Sequence, residues 1–201
     1  MISTLFAHLG THVILSLAAL AAAVAIGVPL AAFAAGRPAA RALTLGGAGA
    51  LRVIPSVAIL TLTLPYLGLG FRPALLALIA LALPPIVVNT ELGLRGVPAA
   101  TREAAVGMGM TSGQVRQRIE WPLALPLVLA GVRTASVEVI ASATLASFIG
   151  GGGLGDLIVD GLATDDVAEL LLGAGTVAAL ALLADAALAA VARASRPKGL
   201  A

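Results

Sequence analysis

From Val13 to Ala35 the chain runs without a charged residue, almost wholly in Ala, Leu, Val and Ile. A helix needs about 20 apolar residues to cross the hydrocarbon core of a bilayer. This run meets that length, and similar runs follow it. Val53 to Leu69 is entered through "RVIPS" and interrupted at Pro65. Ala74 to Val88 carries Pro84-Pro85 near its end. Pro122 to Ile149 and Leu170 to Val191 complete the set. The expected fold class is therefore an all-α integral membrane protein with about five transmembrane helices. Composition agrees: apolar types make up 60% of the 201 residues and charged types only 11%. A soluble domain has roughly 25% charged residues, so this chain cannot cover a water-facing surface of ordinary polarity. The lipid bilayer is its expected surroundings. No second domain and no internal repeat is visible, so residues 1–201 read as a single transmembrane domain.

The basic residues are distributed unevenly. Arg37, Arg41 and Arg52 flank the first connection. Arg95, Arg102, Arg116 and Arg118 lie in the connection between the third and fourth runs, and Arg193, Arg196 and Lys198 close the chain. Arg72 alone falls in the intervening outer connections, while Arg133 lies inside the fourth run. The connection between the fourth and fifth runs holds Asp156, Asp160, Asp165, Asp166 and Glu169, with no Lys or Arg. Positively charged loops remain on the cytoplasmic side. The expected topology is five spans, N-terminus out and C-terminus in. Met1 to His12 lacks the basic region of a cleavable signal.

The most polar stretch is "TREAAVGMGMTSGQVRQRIEWPLALP", Thr101 to Pro126, on the cytoplasmic side of that topology. Pro98 suits the first turn of a helix, and "AATREAAV" is rich in helix formers. Gly107 and Gly109 interrupt it. Thr111 with Gln114 three residues later forms a capping box that starts a second helix. On that second helix Val115 and Ile119 share a face, while Arg116, Gln117 and Glu120 point elsewhere. The stretch reads as an amphipathic helical hairpin at the membrane surface, shaped to dock on a cytoplasmic partner. A plain solvated loop would need neither the capping box nor the glycines. A DNA-reading helix-turn-helix is disfavoured, because Arg102, Arg116 and Arg118 are offset by Glu103 and Glu120, and the whole chain carries only +2. No nucleic acid is expected as a partner.

The spacing of this hairpin carries a resemblance. Glu103-Ala104-Ala105, three residues, Gly109, nine residues, Ile119, one residue and Trp121-Pro122 resemble the EAA loop of ABC importer permeases, whose pattern ends Leu-Pro. The segments Arg52–Leu64, Leu83–Leu94 and Leu123–Ile158 are similar to the permeases that import osmoprotectants. The resemblance implies a type I-like importer fold with residues of about 96–122 as the ATPase-coupling loop. It implies partners: an ABC ATPase, a second permease subunit as homo- or heterodimer, and an extracytoplasmic substrate-binding protein. It implies quaternary amines such as glycine betaine, choline or carnitine as cargo, and the bacterial or archaeal cytoplasmic (inner) membrane as location. Methionine-type importer permeases share five spans and an EAA loop, so they remain an alternative. A non-transporting membrane scaffold is the alternative of another class.

The remaining motifs are weighed against simpler readings. "GGGGLG" satisfies the dinucleotide pattern from Gly150 to Gly155 but lacks a preceding strand. The glycines Gly150, Gly151, Gly152, Gly153 and Gly155 are expected to let the backbone turn at the outer end of the fourth span, with a gating hinge as an addition. No G-x-x-x-x-G-K-[ST] is present, so ATP hydrolysis is expected from a partner chain and no cofactor from this one. His8 and His12 have i, i+4 spacing but no third ligand nearby, so they read as interfacial histidines, not as a metal site. No H-E-x-x-H or G-x-S-x-G is present. Glu138 lies in the fourth span, where an unpartnered carboxylate costs roughly 2.5–3.5 kcal/mol or more. Either it lines the translocation path, or it contacts another span or the second subunit. Arg133 is about 140° away around the helix, so the two do not face each other. Asp185 reads as structural, or as paired with a basic residue of the cytoplasmic side. One Trp, one Tyr and four Phe are too few for an aromatic cage, so tight selection is expected in the binding protein.

Overall fold

The fold was described from a computed structural model, in which residues 2–195 are defined. The residues described are helical nearly throughout, which follows from the absence of water in a bilayer: each backbone N–H and C=O must find its partner within the segment. Among the described residues nine α-helices run in chain order: α1 Ile2–Ala34, α2 Pro38–Val53, α3 Ser56–Leu67, α4 Phe71–Arg95, α5 Ala99–Gly107, α6 Ser112–Val115, α7 Trp121–Ser142, α8 Gly155–Ala163 and α9 Val167–Ala194. A π-helical turn, Arg116–Glu120, joins α6 to α7, and a 3₁₀ segment, Ala143–Ile149, extends α7.

Helix α4 is the hub. It packs against α1, α2, α3 and α7. Its contact with α7 is lined by small residues: a Cβ added at Gly93 would lie 2.9 Å from the Ala124 carbonyl oxygen, and one at Gly131 would lie 2.7 Å from the Pro85 carbonyl oxygen. Backbones approach this closely only where side chains are absent or small. The main core joins Leu15, Ala19 and Ala23 of α1 with Ala77, Leu78 and Ile86 of α4 and Ala135 and Val139 of α7. Helix α9 adds one stripe against this bundle, with Gly173, Val177 and Ala189 buried.

Several expectations are corrected. The first helix begins at Ile2 and its candidate span at Thr4, not Val13, because polar Thr11 and His12 are absorbed into the helix. The second run is not one straight span. Residues 38–53, expected as a connection, form α2, and α2 and α3 meet at 92° across Ile54 and Pro55 as a bent pair. The break comes at Pro55, which disfavours helical geometry at Ile54 (φ −79°, ψ 118°). Pro65, expected to interrupt this run, lies inside α3. Pro84 and Pro85 likewise do not end α4, which continues to Arg95. Both prolines are buried, and the Pro85 carbonyl accepts from the Asn89 side-chain amide at 2.8 Å. Among the described residues four helices are long and apolar enough to cross a membrane, or five counting the bent pair as one. Arg196 and Lys198 lie outside the described residues.

Candidate functional site

The polar hairpin is built from local sequence signals. Helix α5 begins after Pro98, whose extended ψ of 138° places it just before the first turn. It ends at Gly107, and Gly109 adopts φ +86°, a left-handed conformation that glycine enters without a Cβ clash. The Gly109 N–H donates to the Val106 carbonyl at 2.9 Å. Thr111 then caps α6. The Gln114 N–H donates to the Thr111 hydroxyl at 3.4 Å, and the Thr111 N–H donates to the Gln114 side-chain oxygen at 2.9 Å, so both halves of the capping box are made.

No break separates the hairpin from the fourth span. Residues Ser112 to Ile149 form one continuous helical run. Pro122, read as the start of a new element, falls inside this continuous run, as the second residue of α7 directly after the π turn. The π turn over Arg116–Glu120 widens the helix where it leaves the hairpin, and such turns are common at functional sites.

Three arginine contacts brace the hairpin, two of them reaching the spans. Arg102 donates to Glu120 at 2.7 Å, bridging its two arms, and to the Leu94 carbonyl at 2.7 Å, at the end of α4. Arg116 donates to the Ala32 carbonyl at the end of α1. Under these arms lies a cavity of about 420 Å3, lined in part by Arg95, Arg102, Arg116 and Glu120. Ala105 and Val115 are buried, where α5 packs against α6 and the π turn. Glu103 and Ala104 are exposed. Val106 and Met108 are exposed too, at 58% and 73%, and they make the outer face of the hairpin partly apolar. Ile119 and Trp121 are half-buried, and Pro122 is exposed. The candidate coupling residues thus divide into Ala105 turned inward and Glu103 and Ala104 facing out.

Glycines shape the opposite end. Gly150, Gly152 and Gly153 have φ of +70°, +72° and +104°. Gly155 is required by contact instead: an added Cβ would lie 2.2 Å from the Thr144 carbonyl oxygen. Gly151 donates its N–H to the Ala146 carbonyl at 2.8 Å, and Gly70 donates to the Ile149 carbonyl at 2.7 Å, tying the α3–α4 turn to this end. The acidic stretch that follows, expected as a loop, forms α8, and Asp166 caps α9 through its N–H bonds from Ala168 and Glu169.

The titratable residues within the spans fall into three arrangements. Arg133 and Asp185 make a bidentate pair between α7 and α9, with the Arg133 Nη2 to Asp185 Oδ2 contact at 2.6 Å. Asp185 was expected to pair, if at all, with a cytoplasmic-side base; its partner is inside the bundle because Arg133 lies on the α9-facing side of α7. His12 is fully buried, and its Nε2–H donates to the Ile140 carbonyl at 3.0 Å. His8 turns to Asp156 at 3.2 Å, so the two histidines serve different contacts. Glu138 is half-buried on another side of α7 from Arg133, and among the described residues it has neither a hydrogen bond nor a direct ion pair.

Two features escaped the sequence reading. Glu91 is 1% exposed and accepts from Arg41 of α2, with Arg95 at 3.7 Å. Its position just past an apolar run made it look like loop; only the extension of α4 to Arg95 buries it. Arg52, read as flanking a connection, sits instead in the last turn of α2, at the break within the second span. A continuous helical reading of "GRPAARALTLGGAGALRV" would have been the signal.

The sequence places this architecture. Residues 27–197 match the family of binding-protein-dependent transport system inner membrane components. The chain belongs to that family. This inner membrane component is 39% identical over 191 residues to the glycine betaine/carnitine/choline transport system permease protein OpuCB of Bacillus subtilis (strain 168), a match covering 95% of this chain and 88% of the relative. It is 41% identical over 177 residues to the carnitine transport permease protein OpuCB of Listeria monocytogenes, covering 88% and 81%. It is 39% identical over 189 residues to the choline transport system permease protein OpuBB of B. subtilis, covering 94% and 87%. Among solved structures, a chain of the MetNI methionine ABC transporter in an inward-facing conformation superposes with a TM-score of 0.83, covering 98% of both chains at 20% identity. At that identity the likeness speaks for the fold alone.

Proposed function

We propose that this chain is the permease subunit of an ABC importer that moves quaternary amines, such as glycine betaine, carnitine or choline, into the cytoplasm. The observation that carries the reading is near-full-length similarity, at 39–41% identity, to relatives named for these three solutes. A separate ATPase chain supplies the energy. Two permease chains, alike or related, surround the path, and an extracytoplasmic binding protein delivers the solute. The hairpin side faces the cytoplasm, with the N-terminus out and the C-terminus in, in keeping with the arginines at that end and the carboxylates at the other.

The hairpin from Glu103 to Pro122 is the ATPase docking element. Glu103 supplies a charge, and Val106 and Met108 supply apolar area that a partner's groove would cover. Docking there moves more than a loop. The Arg102 contacts to Glu120 and Leu94, the Arg116 contact to Ala32 and the unbroken run into α7 make the hairpin a lever on α1, α4 and α7 together. The glycine turn from Gly150 to Gly155 is where α7 and its 3₁₀ extension pivot at the far end. Glu138 lines the path, its carboxylate offering a weak site to an ammonium, while tight selection rests with the binding protein.

The test uses the purified permease–ATPase complex in vesicles with its binding protein. Glu103→Lys inverts the docking charge. Gly109→Pro cannot hold φ +86°, because proline is confined to about −65°. Either variant is expected to reach the membrane and to lose solute-stimulated ATP turnover. Normal turnover in both variants removes the docking assignment.

A further inference from the structure

The cavity beneath the hairpin holds more positive charge than the contacts around it neutralise. Arg95, Arg102 and Arg116 line it with Glu120, beside Ala35, Gly36 and Leu94. The three arginines come from separate elements: Arg95 is the last residue of α4, Arg102 lies in α5 and Arg116 opens the π turn. Glu120 is taken by Arg102, at 2.7 Å. Arg116 has a neutral partner, the Ala32 carbonyl. Arg95 makes no hydrogen bond among the described residues. Its acidic neighbour, Glu91, is 3.7 Å away and already accepts from Arg41. Three guanidiniums thus face a space of about 420 Å3 with one carboxylate among its lining residues, an excess of 3 − 1 = +2.

Capping of helix ends explains part of this arrangement. Arg102 and Arg116 each give one nitrogen to a carbonyl at the end of α4 or α1, where the helix dipole favours a cation. Capping does not account for Arg95, nor for the donors left over. Arg102 uses Nε and Nη2, and Arg116 uses Nη2 alone. Like charges gathered around one space repel, and an anion seated among them reverses the sign of that interaction. A guanidinium presents its N–H groups in a planar fork that matches the oxygens of a phosphate.

We infer that this cavity is a phosphate-binding site, in which Arg95, Arg102 and Arg116 donate to the oxygens of one phosphate group. Two sources offer that group. One is the headgroup of an anionic lipid: Arg95 ends one candidate span and Ala35 follows the end of another, the depth at which headgroups lie, and basic pockets between spans hold such headgroups. The other is free phosphate from the aqueous side. From either source, a bound phosphate ties α4 to α5 and to the π turn, and so braces the hairpin against the spans. The site is separate from the solute path, and the inference holds whichever solute the chain carries.

The test titrates the permease–ATPase complex, purified in neutral detergent without nucleotide. One arm adds phosphatidylglycerol, with phosphatidylcholine as the net-neutral comparison, and reads bound lipid by native mass spectrometry. The other adds inorganic phosphate and reads binding by calorimetry. Each arm compares the wild type with Arg95→Gln, which has no hydrogen bond to lose, and with Arg37→Gln, which removes an arginine at the same end of the bundle that does not line the cavity. Arg95→Gln is expected to weaken binding of one ligand roughly tenfold, the worth of one charge-assisted contact, while Arg37→Gln leaves it within about twofold. Weakening in the lipid arm identifies the headgroup as occupant, and weakening in the phosphate arm identifies the ion. Phosphate sites on the ATPase are common to all three proteins and cancel in the comparison. Should Arg95→Gln fail to assemble, Arg116→Gln is read in its place. Absence of binding to the wild type, or binding of both ligands unchanged by the substitution, overturns the site. So does equal weakening by Arg37→Gln, which is the signature of diffuse surface charge.

Discussion

The α4–α7 seam offers a quantitative test of how this bundle is held together. In Gly131→Ala, the added Cβ would lie 2.7 Å from the Pro85 carbonyl oxygen and 2.8 Å from the Asn89 Cβ. Ordinary contact begins at 3.4 Å, so the shortfall at the carbonyl is 3.4 − 2.7 = 0.7 Å. Neither neighbour is a movable side-chain end: one is backbone and the other is fixed to it. The helices must part, and every buried residue along Gly93, Ala124, Gly131 and Ala135 loses contact with its opposite number. Overpacking of this kind costs about 1–3 kcal/mol. For a chain of this size that lowers the apparent melting temperature by roughly 2–12 °C. The controls are Gly10→Ala and Gly175→Ala, helical glycines with nothing within 4 Å of the added carbon. They should melt at or slightly above wild type, because alanine restricts the unfolded backbone. The assay is the loss of the monodisperse peak of detergent-solubilised protein after heating, at a fixed heating time because membrane proteins aggregate on unfolding. If Gly131→Ala melts together with the two controls, steric closeness of α4 and α7 is not what packs the bundle.

Two further outcomes follow from the geometry. A cysteine replacing Ser112 in the otherwise cysteine-free chain should be labelled by an impermeant thiol reagent only from the cytoplasmic side, and one replacing Thr164 only from outside; reversed labelling overturns both the orientation and the docking side. Asp185→Leu strands the Arg133 guanidinium within the membrane, so it should lower the amount of folded protein recovered, while Arg133→Leu/Asp185→Leu recovers much of it; equal loss in the single and double variants would show that the pair is not a closed unit.

Much of the membrane architecture could be read from the chain because bilayers impose a local rule. Each span must satisfy its own backbone, so the first, third, fourth and fifth runs were visible as apolar length alone. The hairpin was visible for another local reason. Gly109 and the Thr111–Gln114 capping box act within four residues, and both do in the fold what their spacing implies. Prolines were misleading because their effect depends on surroundings: Pro65, Pro84 and Pro85 stay inside helices, while Pro55 ends one. Hydropathy likewise missed α2, whose Arg37, Arg41 and Arg52 neighbourhood resembles a connection until α4 is present to pack against it.

What the sequence by itself determined was the set of elements and the sign of charge at each end, since both depend on runs of neighbouring residues. Which charges satisfy one another was decided only in three dimensions. Glu91 and Arg41 are fifty positions apart, Arg133 and Asp185 fifty-two. Whether such residues meet depends on helix rotation, and that is set by small residues such as Gly93 and Gly131 where α4 crosses α7. The same rotation gives Arg133 a partner and leaves Glu138, five residues later on another side of the helix, without a hydrogen bond or direct ion pair among the described residues. No local pattern distinguishes those two residues, because one turn of a helix exposes each to a different neighbour.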